Sequence, residues 1–121
     1  MNISYRVYSN VLVVSPEIEV LDITNANEFR EEVTMAIRRT NTQDVVIDMG
    51  KIAFMDSLGI GRLISLLRSI NKNQGDLKVC SLSKTVRSIF EIVRLQKIIG
   101  IFTDADEAVR SFNYEQQPAS V

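Results

Sequence analysis

Short apolar runs rich in β-branched residues alternate along this chain with stretches whose apolar residues recur at helical spacing. That alternation constrains the fold more than any other feature. Ile3, Tyr5 and Val7 alternate with polar residues and predict a half-buried strand. Ser9-Asn10 marks a turn, and Val11-Leu12-Val13-Val14 is a continuous apolar run, which predicts a central strand whose pairing Pro16 interrupts or ends. The two strands form an antiparallel hairpin. Three further apolar runs predict strands: 44–49, 77–82 and a short one within 98–102. Helical stretches separate them, so the connections are parallel crossovers within one sheet.

The helices carry their own signals. Asn25 followed by Glu28 fits a capping box, and Ala26, Phe29, Val33, Ala36 and Ile37 form one apolar stripe. Arg38 and Arg39 suit the negative end of that helix. A second helix follows Phe54-Met55, with Ile60, Leu63, Ile64, Leu67 and Ile70 on one face and Gly75 as its stop. Ser83 caps a third, whose core face is Val86, Ile89, Phe90 and Val93. Asp104 and Glu107 form another capping box, opening a fourth helix that buries Ala108, Val109 and Phe112. The predicted fold is α/β: a mixed sheet of four to five strands with about four helices, in the order ββαβαβαβα. One domain spans 3–112, and the polar residues of 113–121 predict a disordered tail.

Composition excludes several functions. The chain has 121 residues and no histidine, which removes the usual general base near neutral pH and the commonest metal ligand. With Cys80 as the one cysteine, a zinc site and Ser-His or Cys-His catalysis are excluded, and no metal or other cofactor is expected. Cys80 lies in an apolar strand and reads as a buried core residue. Fourteen basic residues against 15 acidic give a net charge of -1, without the basic excess of a nucleic-acid binder. No apolar run reaches the roughly 20 residues of a membrane span, and the N-terminus lacks a secretory pattern. A cytoplasmic location is expected.

The segment Phe54-Met55-Asp56-Ser57-Leu58-Gly59-Ile60-Gly61 follows a strand and opens a helix. Ser57 falls at the expected N-cap, beside the unpaired N–H groups of the first turn. Each helical glycine costs about 1 kcal/mol relative to alanine. Gly59 and Gly61 therefore imply close approach by another element of the fold or by a partner. The alternative is that Asp56 and Ser57 merely cap the helix and the glycines merely pack. Enzyme motifs fail here: Met55-Asp56-Ser57-Leu58-Gly59 is not a nucleophile elbow, and Gly59-Ile60-Gly61 is too short for a dinucleotide fingerprint. Asp48, at a strand end, invites comparison with a phosphorylated receiver aspartate, but Val14-Ser15-Pro16 is not the acidic pair that such domains carry.

The string Phe-Met-Asp-Ser-x-Gly-Ile-Gly, in this strand–loop–helix setting, resembles the signature of the STAS domain family, in particular its bacterial anti-sigma factor antagonist branch. The resemblance runs from about Ile3 to Phe112. It implies a non-enzymatic regulator of transcription that works by partner switching. By the same resemblance the expected partner is an anti-sigma factor with serine kinase activity, and Ser57 corresponds to the serine it phosphorylates. A PP2C-type phosphatase resets the switch, and ATP and Mg²⁺ belong to the kinase. No nucleic acid or membrane partner is implied. The expected partner-binding residues are Asp56, Ser57, Leu58, Gly59, Ile60, Gly61 and Arg62, with Glu19 and Asp22 from the preceding loop. Leu58 stands where the family commonly has Ser or Thr, and 16–22 matches the family's Gly-x-Leu-Asp imperfectly. The alternative within the family is a structural or transport-complex subunit without a phosphorylation switch.

Overall fold

The opening hairpin forms across a two-residue turn. Strand β1 (Ile3–Tyr8) pairs antiparallel with β2 (Val11–Pro16), and Ser9 and Asn10 both take positive φ, 52° and 68°. That geometry matches the right-handed twist of the strands it joins. The computed structural model describes residues 1–116. After the hairpin come β3 (Val20–Leu21), α1 (Ala26–Thr40), β4 (Asp44–Asp48), β5 (Phe54–Met55) and α2 (Ser57–Lys72). Then follow β6 (Leu77–Cys80), α3 (Lys84–Ile92), β7 (Gly100–Phe102) and α4 (Ala105–Gln116). The main sheet has five strands in the order β1-β2-β4-β6-β7, antiparallel at the hairpin and parallel elsewhere. This is the mixed sheet with four helices that the alternation predicts.

Side-chain alternation gives the sheet two apolar faces. Leu12, Val14, Val45, Ile47, Leu77 and Val79 pack against α1, α2 and α3, where Phe29, Val33, Leu63, Leu66, Leu67, Ile70, Val86 and Phe90 complete the larger core. Val11, Val13, Val46 and Cys80 face the other way, under Ala108, Val109 and Phe112 of α4. Burial pushes the Cys80 thiol up to about 11, so at neutral pH it holds its proton and is hidden from solvent. Labelling of the native protein by a thiol reagent is expected to be much slower than labelling in denaturant. Equal rates would place Cys80 at the surface.

Several local expectations are corrected. Tyr5 and Val7 are 37% and 45% exposed, not half-buried in a core, because β1 is the rim of the sheet and no helix covers it fully. The capping box at α1 does not form. Asn25 instead accepts from the Asp22 N–H and donates to the Val20 carbonyl, while Glu28 pairs with the Met1 amino group. At α4 half of the box forms: Asp104 caps the helix by accepting from the Glu107 N–H, but the Glu107 carboxylate accepts from the Thr103 N–H, one residue before the cap. Ser83 caps α3 as expected, but Val93 lies past its end and is exposed. A 3-10 turn at Leu95–Lys97 was not legible in the pattern; it follows Arg94 at φ 62° and buries Leu95. Helix α4 runs into the segment assigned to the tail, and 117–121 lie outside the described residues.

Candidate functional site

The two-residue strands β3 and β5 position the site. They pair in parallel, Val20 with Phe54 and Leu21 with Met55. The Asp56 N–H donates to the Leu21 carbonyl (3.2 Å), and the N–H groups of Ala53 and Phe54 donate to the Glu19 carbonyl. This small ladder brings the 19–23 loop beside the start of α2, although more than 30 residues separate them in sequence.

Asp56, not Ser57, is the N-cap of α2. Its Oδ1 accepts from the Gly59 N–H at 2.9 Å, and its Oδ2 accepts from the Ile23 N–H at 3.0 Å. Both carboxylate oxygens are thus committed inside the chain: one holds the helix start and the other pins the neighbouring loop. Asp56→Ala removes a cap usually worth about 0.5–2 kcal/mol. It also leaves the Ile23 N–H without its acceptor, so a loss near the top of that range is expected in urea unfolding. Retention of wild-type stability would contradict the dual role.

Ser57 is the first residue of α2 and is exposed. Among the described residues its hydroxyl takes no hydrogen bond. Two other α2 and α3 serines differ. The Ser65 hydroxyl accepts from Arg30 Nε at 2.7 Å, and Ser83 caps α3 through the Val86 N–H.

The two glycines divide the roles that the sequence left open. A Cβ on Gly59 would sit 2.3 Å from the Leu21 carbonyl oxygen. Gly59 is buried and allows β3 to cross the helix start, so it does not present the surface expected of a partner contact. A Cβ on Gly61 would meet nothing within 4 Å. Leu58 and Ile60 are partly buried and pack against the larger core rather than standing out beside Ser57, because their positions turn them back toward the sheet. Arg62 donates through Nε to Asn27 Oδ1, which ties α2 to α1. Glu19 is exposed and its backbone carbonyl serves the ladder. The Asp22 carboxylate accepts from the Thr24 hydroxyl (2.6 Å) and N–H (3.0 Å), and the hydroxyl bond holds its pKa below the ordinary value. It shapes the loop that Asp56 pins.

Three apolar residues around this point were not predicted. Val20, Ile23 and Phe54 are 36%, 72% and 47% exposed, and the β3–β5 pairing together with the Ile23–Asp56 bond gathers them beside Ser57. Exposed apolar residues grouped in this way make the surface a candidate for docking. Their signal in the sequence was only that Ile23 and Phe54 are large apolar residues in loop-like surroundings.

A sequence profile of the STAS domain matches residues 2–108. The chain belongs to the STAS domain family. Staphylococcus epidermidis has a relative named anti-sigma-B factor antagonist, 28% identical over 81 residues, which is 67% of this chain and 74% of that protein. The unphosphorylated form of the anti-sigma factor antagonist SpoIIAA superposes with a TM-score of 0.77 at 19% identity, over 93% of this chain and 96% of that one. The same fold occurs in the murine anion transporter Slc26a9, with a TM-score of 0.68 at 22% identity, over 84% of this chain and 17% of that one. Within the STAS domain described here, no helix among the described residues is long and apolar enough to cross a membrane.

Proposed function

We propose that this STAS domain is a partner-switching antagonist of an anti-sigma factor that has serine kinase activity. Unphosphorylated, it docks on that factor through the surface around Ser57 and Gly61 and the apolar apron of Val20, Ile23 and Phe54. Phosphorylation of Ser57 releases it, and a PP2C-type phosphatase restores binding. ATP and Mg²⁺ are held by the kinase, and this chain contributes the acceptor hydroxyl and the docking surface, not catalytic groups. The observation that carries the reading is the uncommitted, exposed Ser57 hydroxyl beside an Asp56 whose oxygens are both engaged internally. The naming of the Staphylococcus relatives supports the same assignment.

The test is incubation with the anti-sigma factor kinase and ATP-Mg²⁺, followed by phosphosite mapping and affinity measurement. Phosphate on Ser57 is expected. Phosphate only on Ser65 or Ser83 would end the reading, and failure to form any complex would favour the structural or transport-complex alternative. The apron makes its own prediction. Ile23→Asp places a charge at the most exposed apolar position of the patch, and central apolar contacts commonly carry 1–2 kcal/mol or more. Binding should fall by about tenfold or more, with the melting temperature nearly unchanged. Unchanged affinity would remove the loop from the interface.

A further inference from the structure

Two arginines tie α1 to α2, crossing in opposite directions. Arg30 of α1 donates through Nε to the Ser65 hydroxyl of α2 at 2.7 Å, and Arg62 of α2 donates through Nε to Asn27 Oδ1 of α1. With Glu31 these four residues line a hollow of about 350 Å³ between the helices. Both arginines are half-buried. Each Nε bond ends on a neutral group, so it orients a guanidinium without neutralising it. Among the described residues the Nη groups of both take no hydrogen bond, and no carboxylate lies within ion-pair distance of either. Glu31 follows Arg30 directly and is exposed at the rim, because consecutive residues of a helix do not face the same way. Two guanidinium charges in one half-dry hollow repel each other, and a tie between helices needs no charge. What the arrangement offers beyond a tie is a pair of fixed planar forks with their outer N–H groups open, the geometry that receives a carboxylate.

The hollow continues the docking surface. Ser57, Gly61 and Ser65 recur at four-residue intervals along α2 and so share one face. At 1.5 Å per residue Ser65 lies about 12 Å along the helix from Ser57. On the other side, Asn27 is the second residue of α1, soon after the loop that carries Ile23. The exposed Val20, Ile23 and Phe54 and the open side of Gly61 are thus bordered by a basic corner. An apolar centre with a polar border is the ordinary anatomy of a protein interface, and arginine is the cation enriched there.

We infer that Arg30 and Arg62 receive an aspartate or glutamate side chain of the protein that docks at Ser57. The inference rests on the docking reading above and adds the chemistry of one contact. It requires the partner to present that carboxylate on the order of 10 Å from the atoms that meet Ser57. A partner with an apolar or basic residue there would leave both guanidinium groups covered and unpaired, which costs affinity, so the pair selects among partners as well as binding one.

Affinity for the anti-sigma factor kinase is to be measured on the full chain with Arg30→Gln, Arg62→Gln and both together, with Ile23→Asp as the control for docking beside Ser57. Glutamine keeps a donor for the tie and removes the charge. Each single substitution should weaken binding by about tenfold or more. The double substitution should lose less than the product of the two, because both groups read one carboxylate. Added salt should weaken the wild type more than the double variant, and melting temperatures should stay close to that of the wild type. Carbodiimide coupling then identifies the occupant: Arg62→Lys places a primary amine in the hollow, which should join to an aspartate or glutamate of the partner. If Ile23→Asp weakens binding and the glutamine variants bind like the wild type, the hollow is only a helix tie; this inference falls and the docking reading stands. If Ile23→Asp and the glutamine variants all bind like the wild type, or no complex forms, both fall. A loss of binding that a matching loss of stability accounts for, or coupling from position 62 only to Glu31 of the same chain or to a second copy, would also overturn the inference.

Discussion

Phosphate on Ser57 is expected to weaken partner binding by about 30-fold or more, while the free domain stays folded. The two halves of that expectation have separate causes. Ser57 is the first residue of α2, where the unpaired N–H groups and the helix dipole favour an anion by about 0.3–1 kcal/mol. A phosphate adds about -1.5 to -2 charge at neutral pH. The neighbouring Asp56 carboxylate opposes it, so the two local terms nearly offset and the melting temperature should move by only a few degrees. The phosphate would sit beside the apolar Val20, Ile23 and Phe54, and bringing it against a partner there costs desolvation and repulsion. Loss of one charge-assisted contact in an interface costs about 2–5 kcal/mol, which is about 30-fold or more in affinity. Ser57→Ala should bind constitutively and take no phosphate. Ser57→Asp should bind weakly, though less weakly than the phosphoprotein, since a carboxylate is smaller and carries less charge. Unchanged affinity after stoichiometric modification of Ser57 would reject the switch.

What the sequence made legible, and what it did not, follows from the range over which each signal acts. Strand runs such as Val45-Val46-Ile47 and stripes such as Leu63, Leu67 and Ile70 report burial that any packing of the same elements would demand, and all six are buried. Capping boxes are also local, but side-chain competition decides them. Asp104 caps α4 while Glu107 is drawn one residue further back to the Thr103 N–H, whereas Asn25 is drawn to Val20 and Asp22 and Glu28 to the Met1 amino group. Gly75 ends α2 for a reason that spacing cannot reveal. Gln74, at φ 73°, takes the left-handed position, while a Cβ on Gly75 would fall 2.0 Å from the Gln43 carbonyl oxygen. The β3–β5 ladder was invisible because two-residue strands carry no period. With it were hidden the second task of Asp56 and the apron around Ser57. The motif singles out one stretch of the chain, and only the fold separates its inward residues from its outward ones.

The pair Gly59 and Gly61 gives the second large effect, and it is a contrast within one helical turn. Both glycines weaken the helix by about 1 kcal/mol relative to alanine, so propensity alone predicts that either change to alanine stabilises. Space reverses that for Gly59. Its Cβ would lie 2.3 Å from the Leu21 oxygen and 3.1 Å from Leu21 Cγ. The obstacle is a backbone carbonyl that also accepts the Asp56 N–H, so it cannot swing aside as a side chain would. Relief requires β3 to separate from α2, which strains the β3–β5 ladder and the Ile23–Asp56 bond. Overpacking typically costs about 1–3 kcal/mol and more where the backbone must move, so Gly59→Ala should lose about 3 kcal/mol or more, and Gly59→Val should fail to accumulate as folded protein. Gly61→Ala meets no neighbour and should gain up to about 1 kcal/mol. Gly61→Val should remain as stable as the wild type, yet its branched side chain fills the open space on the side where the partner is proposed to dock, so binding should fall by about tenfold or more, the equivalent of about 1.4 kcal/mol. Denaturant unfolding and affinity measured on the same preparations separate the two positions. Wild-type binding by Gly61→Val would show that no partner approaches there, and a stable Gly59→Ala would show that β3 yields more easily than its hydrogen bonds suggest.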